Sequence, residues 1–298
     1  MTNTPRAARG VVDADTGDVL VVTRNAITWV RAAGPAVNVT PEFVWTCVAA
    51  GGGSIAVAGP DSVEWHGPAG SVLTRSAPDE EIYRLAVSET NLAAVSRSGL
   101  LSSWRSLNAQ ALTVELNFAP DGIALDTDGS RIAGWGWDGL GSSTMTVLDL
   151  AGRPLVAGTP AAGWPAADSG VAMGLAEGMI AVGGTDSLLV FSSDGRQRAS
   201  LELAGLERLT GSAEGLGWIR SLGENEIVAG IGRLRNTGRQ LTIDVITELP
   251  VPHLDTDPFP EFALADGGDL LLTAGLGPRR LAVCRMAESG WSESIAVF

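Results

Sequence analysis

Two residues of opposite charge, Asp13 and Arg220, occupy a position that other parts of this chain fill with small side chains. When the short apolar segments are aligned on their turns, that position holds Asp13, Cys47, Ala86, Ala124, Ala172, Arg220 and Ala263. If it lines a channel, Asp13 and Arg220 are either an ion pair among solvated groups or a polar clamp. A clamp would take a small anionic or amide ligand, with Arg220 as bidentate donor. A second group is aromatic and basic. GWGWDGLGSS carries Trp135, Trp137 and Asp138, GTPAAGWPAADSG carries Trp164, and GRLRNTGRQ carries Arg233, Arg235 and Arg239. Trp and Arg dominate interface hot spots, so these residues are predicted to anchor a protein partner. The alternative for Trp135 and Trp137 is that they cover a neighbouring structural unit.

Other motifs point to less. His253, Asp255 and Asp257 alternate, which puts three metal-ligand types on one side of an extended segment. The adjacent prolines and the lack of a second ligand group argue against a metal. Asp126-Thr127-Asp128-Gly129 opens like a calcium loop but lacks the later ligands and the terminal Glu, so it reads as a turn. GSAEG at 211–215 does not match the G-x-S-x-G of a nucleophile elbow. With His66, His253, the single Tyr83 and no Lys, acid–base catalysis would rest on carboxylates, on Arg-assisted electrostatics or on those histidines. Asn38-Val39-Thr40 matches a glycosylation acceptor, idle in a cytoplasmic chain. No cofactor is expected.

Composition narrows the classes further. The chain has 298 residues, 45% of them hydrophobic, enough for a large core. No run of about 18 apolar residues is present, so no membrane span is expected. The opening MTNTPRAARG lacks a signal-like apolar stretch, and only Cys47 and Cys284 occur, so a disulfide framework is excluded and a cytoplasmic protein is the simplest expectation. Net charge is −14, which argues against nucleic acid as a partner. All 20 basic residues are Arg. The absence of Lys removes Schiff-base chemistry and P-loop phosphate binding. Its simplest source is GC-rich codon usage; the other is work beside machinery that modifies Lys.

The elements that would position these residues repeat. The stretch Leu125–Leu155 reads as strand, turn at Thr127-Asp128-Gly129, strand, Gly-rich loop, strand, turn, strand. Equivalent second strands centre on Leu20, Ile55, Leu92, Ile132, Ile180, Ile227 and Leu271, at spacings of 35 to 48 residues. Third strands follow at Ala26, Ser62, Leu100, Met145, Ser187, Leu241 and Arg280. Seven meanders of about 40 residues predict an all-β, seven-bladed β-propeller of four-stranded antiparallel blades. A single domain over residues 1–298 is expected, with blades at 10–40, 43–75, 82–116, 121–158, 168–203, 215–252 and 259–298. A pair of β-sandwiches is the competing fold, but it does not explain one meander repeated seven times.

The turn before the second strand and outer segments such as TMTVLDLAGR resemble the WD-repeat superfamily of seven-bladed propellers. Trp29, Trp65 and Trp104 sit where such repeats place the Trp of their Trp-Asp pair, with Asp149 and Phe191 at neighbouring positions later on. The Gly-His pair is absent. The resemblance spans the chain at superfamily level. It implies a non-catalytic interaction or scaffold module, one form of which is a subunit of a larger assembly. The predicted binding face is the long-loop face of blades four to seven. A minority of this group are hydrolases or lyases with a site at the mouth of the central channel, and that is the alternative. A carbohydrate or peptide sensor that stacks its ligand on the Trp cluster is a third class.

Overall fold

Runs such as SIAVA, LAAVS and IAVG are apolar or small with at most one terminal Ser, and all their residues are buried. A strand reads this way only when both of its faces are covered. In Ser54–Ala58, Ile55 and Val57 pack on Leu20, Ile27 and Trp29, whereas Ala56 and Ala58 pack on Leu92, Ala94 and Trp104. The two-residue period of a strand thus hands alternate side chains to two neighbouring sheets. Stacking in both directions is what a ring of blades requires.

The computed structural model describes every residue except 1–8, 14, 24–25, 42, 61, 68–71, 77–80, 106–110, 127, 141–142, 150, 159–168, 194, 224–225, 239, 253–260, 266–267, 276–279 and 298. Seven four-stranded antiparallel sheets form a seven-bladed propeller. Blade one holds β1 (Arg9–Val12), β2 (Val19–Val22), β3 (Ile27–Val30) and β4 (Val37–Val39). Blade two holds β5 (Cys47–Gly51), β6 (Ser54–Ala58), β7 (Ser62–His66) and β8 (Val72–Ser76). Blade three holds β9 (Ile82–Val87), β10 (Leu92–Ser96), β11 (Leu100–Trp104) and β12 (Leu112–Glu115). Blade four holds β13 (Ala119–Leu125), β14 (Arg131–Trp137), β15 (Ser143–Asp149) and β16 (Pro154–Gly158). Blade five holds β17 (Gly170–Ala172), β18 (Ile180–Gly183), β19 (Ser187–Phe191) and β20 (Gln197–Glu202). Blade six holds β21 (Leu206–Ser212), β22 (Gly215–Gly223), β23 (Glu226–Asn236) and β24 (Leu241–Pro250). Blade seven holds β25 (Glu261–Leu264), β26 (Leu270–Gly275), β27 (Arg280–Ala287) and β28 (Gly290–Val297).

Each sheet uses four consecutive strands, so among the described residues no strand is exchanged where the ring closes. The seam is a packing contact. β1 lies against β25 and β26, and the Thr273 hydroxyl donates to the Gly10 carbonyl at 3.0 Å. The meander also defines two faces. The turn between second and third strands and the link to the next blade open on one, here the upper face. The other two turns of each blade open on the lower face.

Blade six corrects the sequence alignment. The segment 215–223 was predicted to be its first strand, but it is the second, β22, and pairs with β21 on one side and β23 on the other. The slip has a physical cause. The link from blade five is only residues 203–205, and β22, β23 and β24 run 9, 11 and 10 residues. Long strands restored the expected spacing and hid the shift.

One buried pair in this core is ionisable. Glu64 and His66 lie on the face of β7 opposite Trp65, at 1% and 4% exposure, with His66 Nε2 3.2 Å from Glu64 Oε2. Burial pushes the imidazole pKa down, and the neighbouring carboxylate only partly opposes that. The unfolded chain therefore binds a proton at this histidine more readily than the fold does. Stability contributed by neutral His66 is present above about pH 6.5 and is lost as pH falls below it. Unfolding titrations should show this acid limb reduced in His66→Gln. An unchanged limb would assign it to another group.

Candidate functional site

Asp13 is not a channel residue. It is fully buried in the β1–β2 turn, where Oδ1 accepts from the amides of Asp15 (2.9 Å) and Thr16 (3.3 Å). Its Oδ2 accepts from the Gly53 amide of blade two at 2.7 Å. Burial raises its pKa, opposed by these hydrogen bonds. Asp13 thus ties two lower-face turns together. Arg220 is not a channel residue either. From β22 it reaches Glu248 on β24 through Nε (2.8 Å) and Nη2 (2.6 Å), a bidentate pair that also takes the Trp218 indole N–H at 2.7 Å. Asp13 and Arg220 do not meet, and no polar clamp exists between them.

The two Trp of blade four have different fates. Trp135 and Trp137 end β14 and, two residues apart, share one face of it. Trp135 packs over Gly122 and against Gly170 of β17, beside the core shared by blades four and five. It covers a neighbouring blade, so it is a packing residue and not an exposed anchor. Trp137 stands about 7 Å further along the strand, at its upper end, and is 45% exposed. Asp138 Oδ1 accepts the Leu140 amide at 2.7 Å, which shapes the turn and leaves Leu140 90% exposed.

Arg233 and Arg235 lie at the opposite end of the molecule. The sequence places GRLRNTGRQ on the long-loop face. Most of it is the lower end of β23 and the hairpin to β24. Arg233 pairs with Glu288 in the lower β27–β28 turn at 3.3 Å, and Arg235 pairs with Asp244 at 3.5 Å. The long-loop face therefore does not unite Trp137 with these arginines. Trp164, Arg239 and the His253, Asp255, Asp257 set lie outside the described residues.

The upper ends of the first strands carry a group that the sequence did not single out as a site. β9 is bulged: Arg84 pairs with Val95 and Ile82 with Ser96, so Tyr83 is the extra residue. β13 bulges in the same way at Asp121 and β21 at Glu207. Bulges re-aim side chains and free backbone groups. The Asp121 carbonyl accepts Arg84 Nε at 2.8 Å, and Arg84 Nη1 and Nη2 donate to the Tyr83 carbonyl (3.2 Å) and hydroxyl (3.0 Å). The Arg84 and Arg97 guanidinium carbons lie 3.8 and 5.0 Å from the Tyr83 ring centroid. Arg208, which follows the blade-six bulge as Arg84 follows that of blade three, reaches Glu261 of blade seven at 3.6 Å. Arg84 links this group to blade four through the Asp121 carbonyl. Cys47 sits at the start of β5, and burial pushes its thiol up to about 11, so it stays protonated at neutral pH.

No protein-family model and no curated protein matches the sequence. Solved structures do match in fold. An Atg21 propeller, solved with the coiled coil of Atg16, is 10% identical with a TM-score of 0.69, covering 98% of this chain and 99% of that one. A chain of the mitotic checkpoint complex is 17% identical with a TM-score of 0.65, covering 92% and 89%. A streptogramin B lyase is 12% identical with a TM-score of 0.60, covering 100% and 96%. At these identities the likeness is one of fold.

Proposed function

We propose that this propeller is an interaction scaffold that holds a protein partner on its upper face, with blade four as the anchor. One observation carries the reading: Trp137 at the end of β14 and Leu140 in the capped turn that follows it are 45% and 90% exposed. Large apolar side chains held out in water on a rigid element are what a docking surface presents. Two of the matched folds come from protein complexes, the checkpoint complex and Atg21 with Atg16, which supports the same role here. The long-loop sector first expected over blades four to seven contracts to its blade-four part among the described residues, because Arg233 and Arg235 occupy the lower face.

The reading as a hydrolase or lyase at the channel mouth has less behind it. The lyase fold and the half-buried Arg84 favour it. The mouth thiol of Cys47 is held protonated, and the Ser169 hydroxyl donates to the Leu206 carbonyl.

The test is quantitative capture from native extract followed by affinity measurement with the stoichiometric partner. Trp137→Ala is expected to weaken binding about 30-fold, the loss of a hot spot of about 2 kcal/mol. Arg235→Ala, on the lower face, should leave it unchanged. Equal affinity for wild type and Trp137→Ala would remove blade four as the docking site.

A further inference from the structure

The two faces of the ring dispose of their charges differently. On the lower face carboxylates are matched: Asp126 pairs with Arg131, Asp149 with Arg153, Asp244 with Arg235, Asp269 with Arg285 and Glu288 with Arg233. Asp13 and Asp15 instead accept the backbone amides of Gly53 and Gly52. The upper ends of blades four to six differ. Asp121 is the bulge residue of β13, Asp138 follows β14, Asp186 lies between β18 and β19, Glu202 ends β20, Glu207 is the bulge residue of β21 and Glu226 opens β23.

Asp121, Glu202, Glu207 and Glu226 are exposed and have no ion-pair partner among the described residues. Asp138 and Asp186 accept backbone amides, of Leu140 at 2.7 Å and of Gly205 at 3.5 Å. The described arginines at these ends, Arg208 and Arg220, are held by Glu261 and Glu248. Arg84 and Arg97 belong to blade three and rest on Tyr83. Trp137 and Leu140 therefore stand in a sector of one sign. Trp135 packs against Gly170 of blade five, and Trp137, on the same face of β14, is turned the same way, toward the blade whose upper end carries Asp186 and Glu202. Carboxylates without counter-charges set up a negative potential that attracts cations, and an exposed indole face adds to the attraction.

On that basis, and resting on the docking role proposed above, we infer that the partner segment is cationic, with one large apolar side chain flanked by Lys or Arg. The apolar side chain sits on Trp137 and Leu140. The flanking cations face the carboxylates of blades five and six, chiefly Glu202 and Glu207. The same field repels phosphate backbones and anionic lipid headgroups, so it selects a protein segment over either. The lower face has its carboxylates already paired and does not compete for the same cations.

Selection of random dodecapeptides displayed on phage against the immobilised full chain tests this. Recovered sequences should be enriched in Lys or Arg close to Leu, Phe or Trp. A synthetic copy of the best should bind wild type, and its affinity should fall as salt rises from about 0.05 M to about 0.5 M. The double variant Glu202→Gln, Glu207→Gln should bind it about fivefold more weakly and show a shallower salt dependence. Glu89→Gln with Glu214→Gln removes the same charge from exposed lower-face turns and should leave the affinity unchanged. All four side chains are exposed, so equal melting temperatures will show that the fold is intact. Trp137→Ala should abolish detectable binding of the peptide. Peptides that depend on Trp137 but show no basic preference would overturn this inference and leave the docking role standing. Basic peptides weakened equally by the upper and lower double variants would report attraction to the net charge alone and would also overturn it. A selection with no Trp137-dependent peptide would overturn both.

Discussion

Replacing Trp218 by alanine is expected to lower the unfolding free energy by about 4 kcal/mol, the range found when a buried Trp is truncated. The size follows from how the side chain is housed. Trp218 is fully buried on β22, and β23 makes room for it with Gly230 and Gly232. A Cβ at Gly230 would lie 2.2 Å from the indole, and one at Gly232 2.8 Å. A backbone so close has no side chain with which to refill the space, so the cavity cannot collapse from that side. The indole N–H is one of the donors on Glu248, at 2.7 Å. Trp218→Phe keeps most of the volume and leaves Glu248 with both Arg220 bonds, so it should cost about 2 kcal/mol. Denaturant unfolding monitored at constant m-value separates the three forms. A loss under about 1 kcal/mol for the alanine variant would mean that the blade relaxes into the space, against the packing described here.

How far a residue's role can be read from sequence depends on which interactions decide it. The second strands of blades two, three and five are legible because a strand covered on both faces is apolar at nearly every position, as in Ile55–Ala58 of Ser54–Ala58. Blade six is not, because strand phase depends on where a link ends, and a three-residue link leaves no turn cluster to mark it. Arg220 was therefore set one strand too far inward. The equivalent of Arg84 is Arg208, in a segment, LERLTGS, too polar to read as a buried strand. Tyr83 escaped notice for a different reason: a bulge is a property of pairing between two strands, not of either sequence alone. Its one signal was IYRLAV, an aromatic and a cation side by side at the start of a strand. Trp135 and Trp137 share a face and a composition, so sequence treats them alike. Their exposure differs because β17 is only three residues long and reaches Gly170 but not the end of β14.

Gly52→Ala is the second substitution with a large expected cost, about 4 kcal/mol, and its origin is backbone collision plus strain. Gly52 has φ of +60°, where an L side chain alone costs about 1–2 kcal/mol. A Cβ there would also lie 2.2 Å from the Glu89 amide nitrogen and 2.9 Å from its Cα, both backbone atoms of the blade-three turn. On its other side the Gly52 amide donates to Asp15 Oδ2 of blade one at 2.7 Å. One residue thus wedges between the lower turns of two neighbouring blades, and the collision cannot be relieved without parting them. Gly139→Ala supplies the control. Its φ is +79°, yet a Cβ would meet nothing within 4 Å, so it should lose only the strain, about 1 kcal/mol. The difference between the two variants measures the lower collar itself. If it is at least about 2 kcal/mol, the interlocked turns hold the blades in register while the upper face is left free to bind. If the two losses are equal, the turns are pliable, and ring closure rests on blade stacking alone.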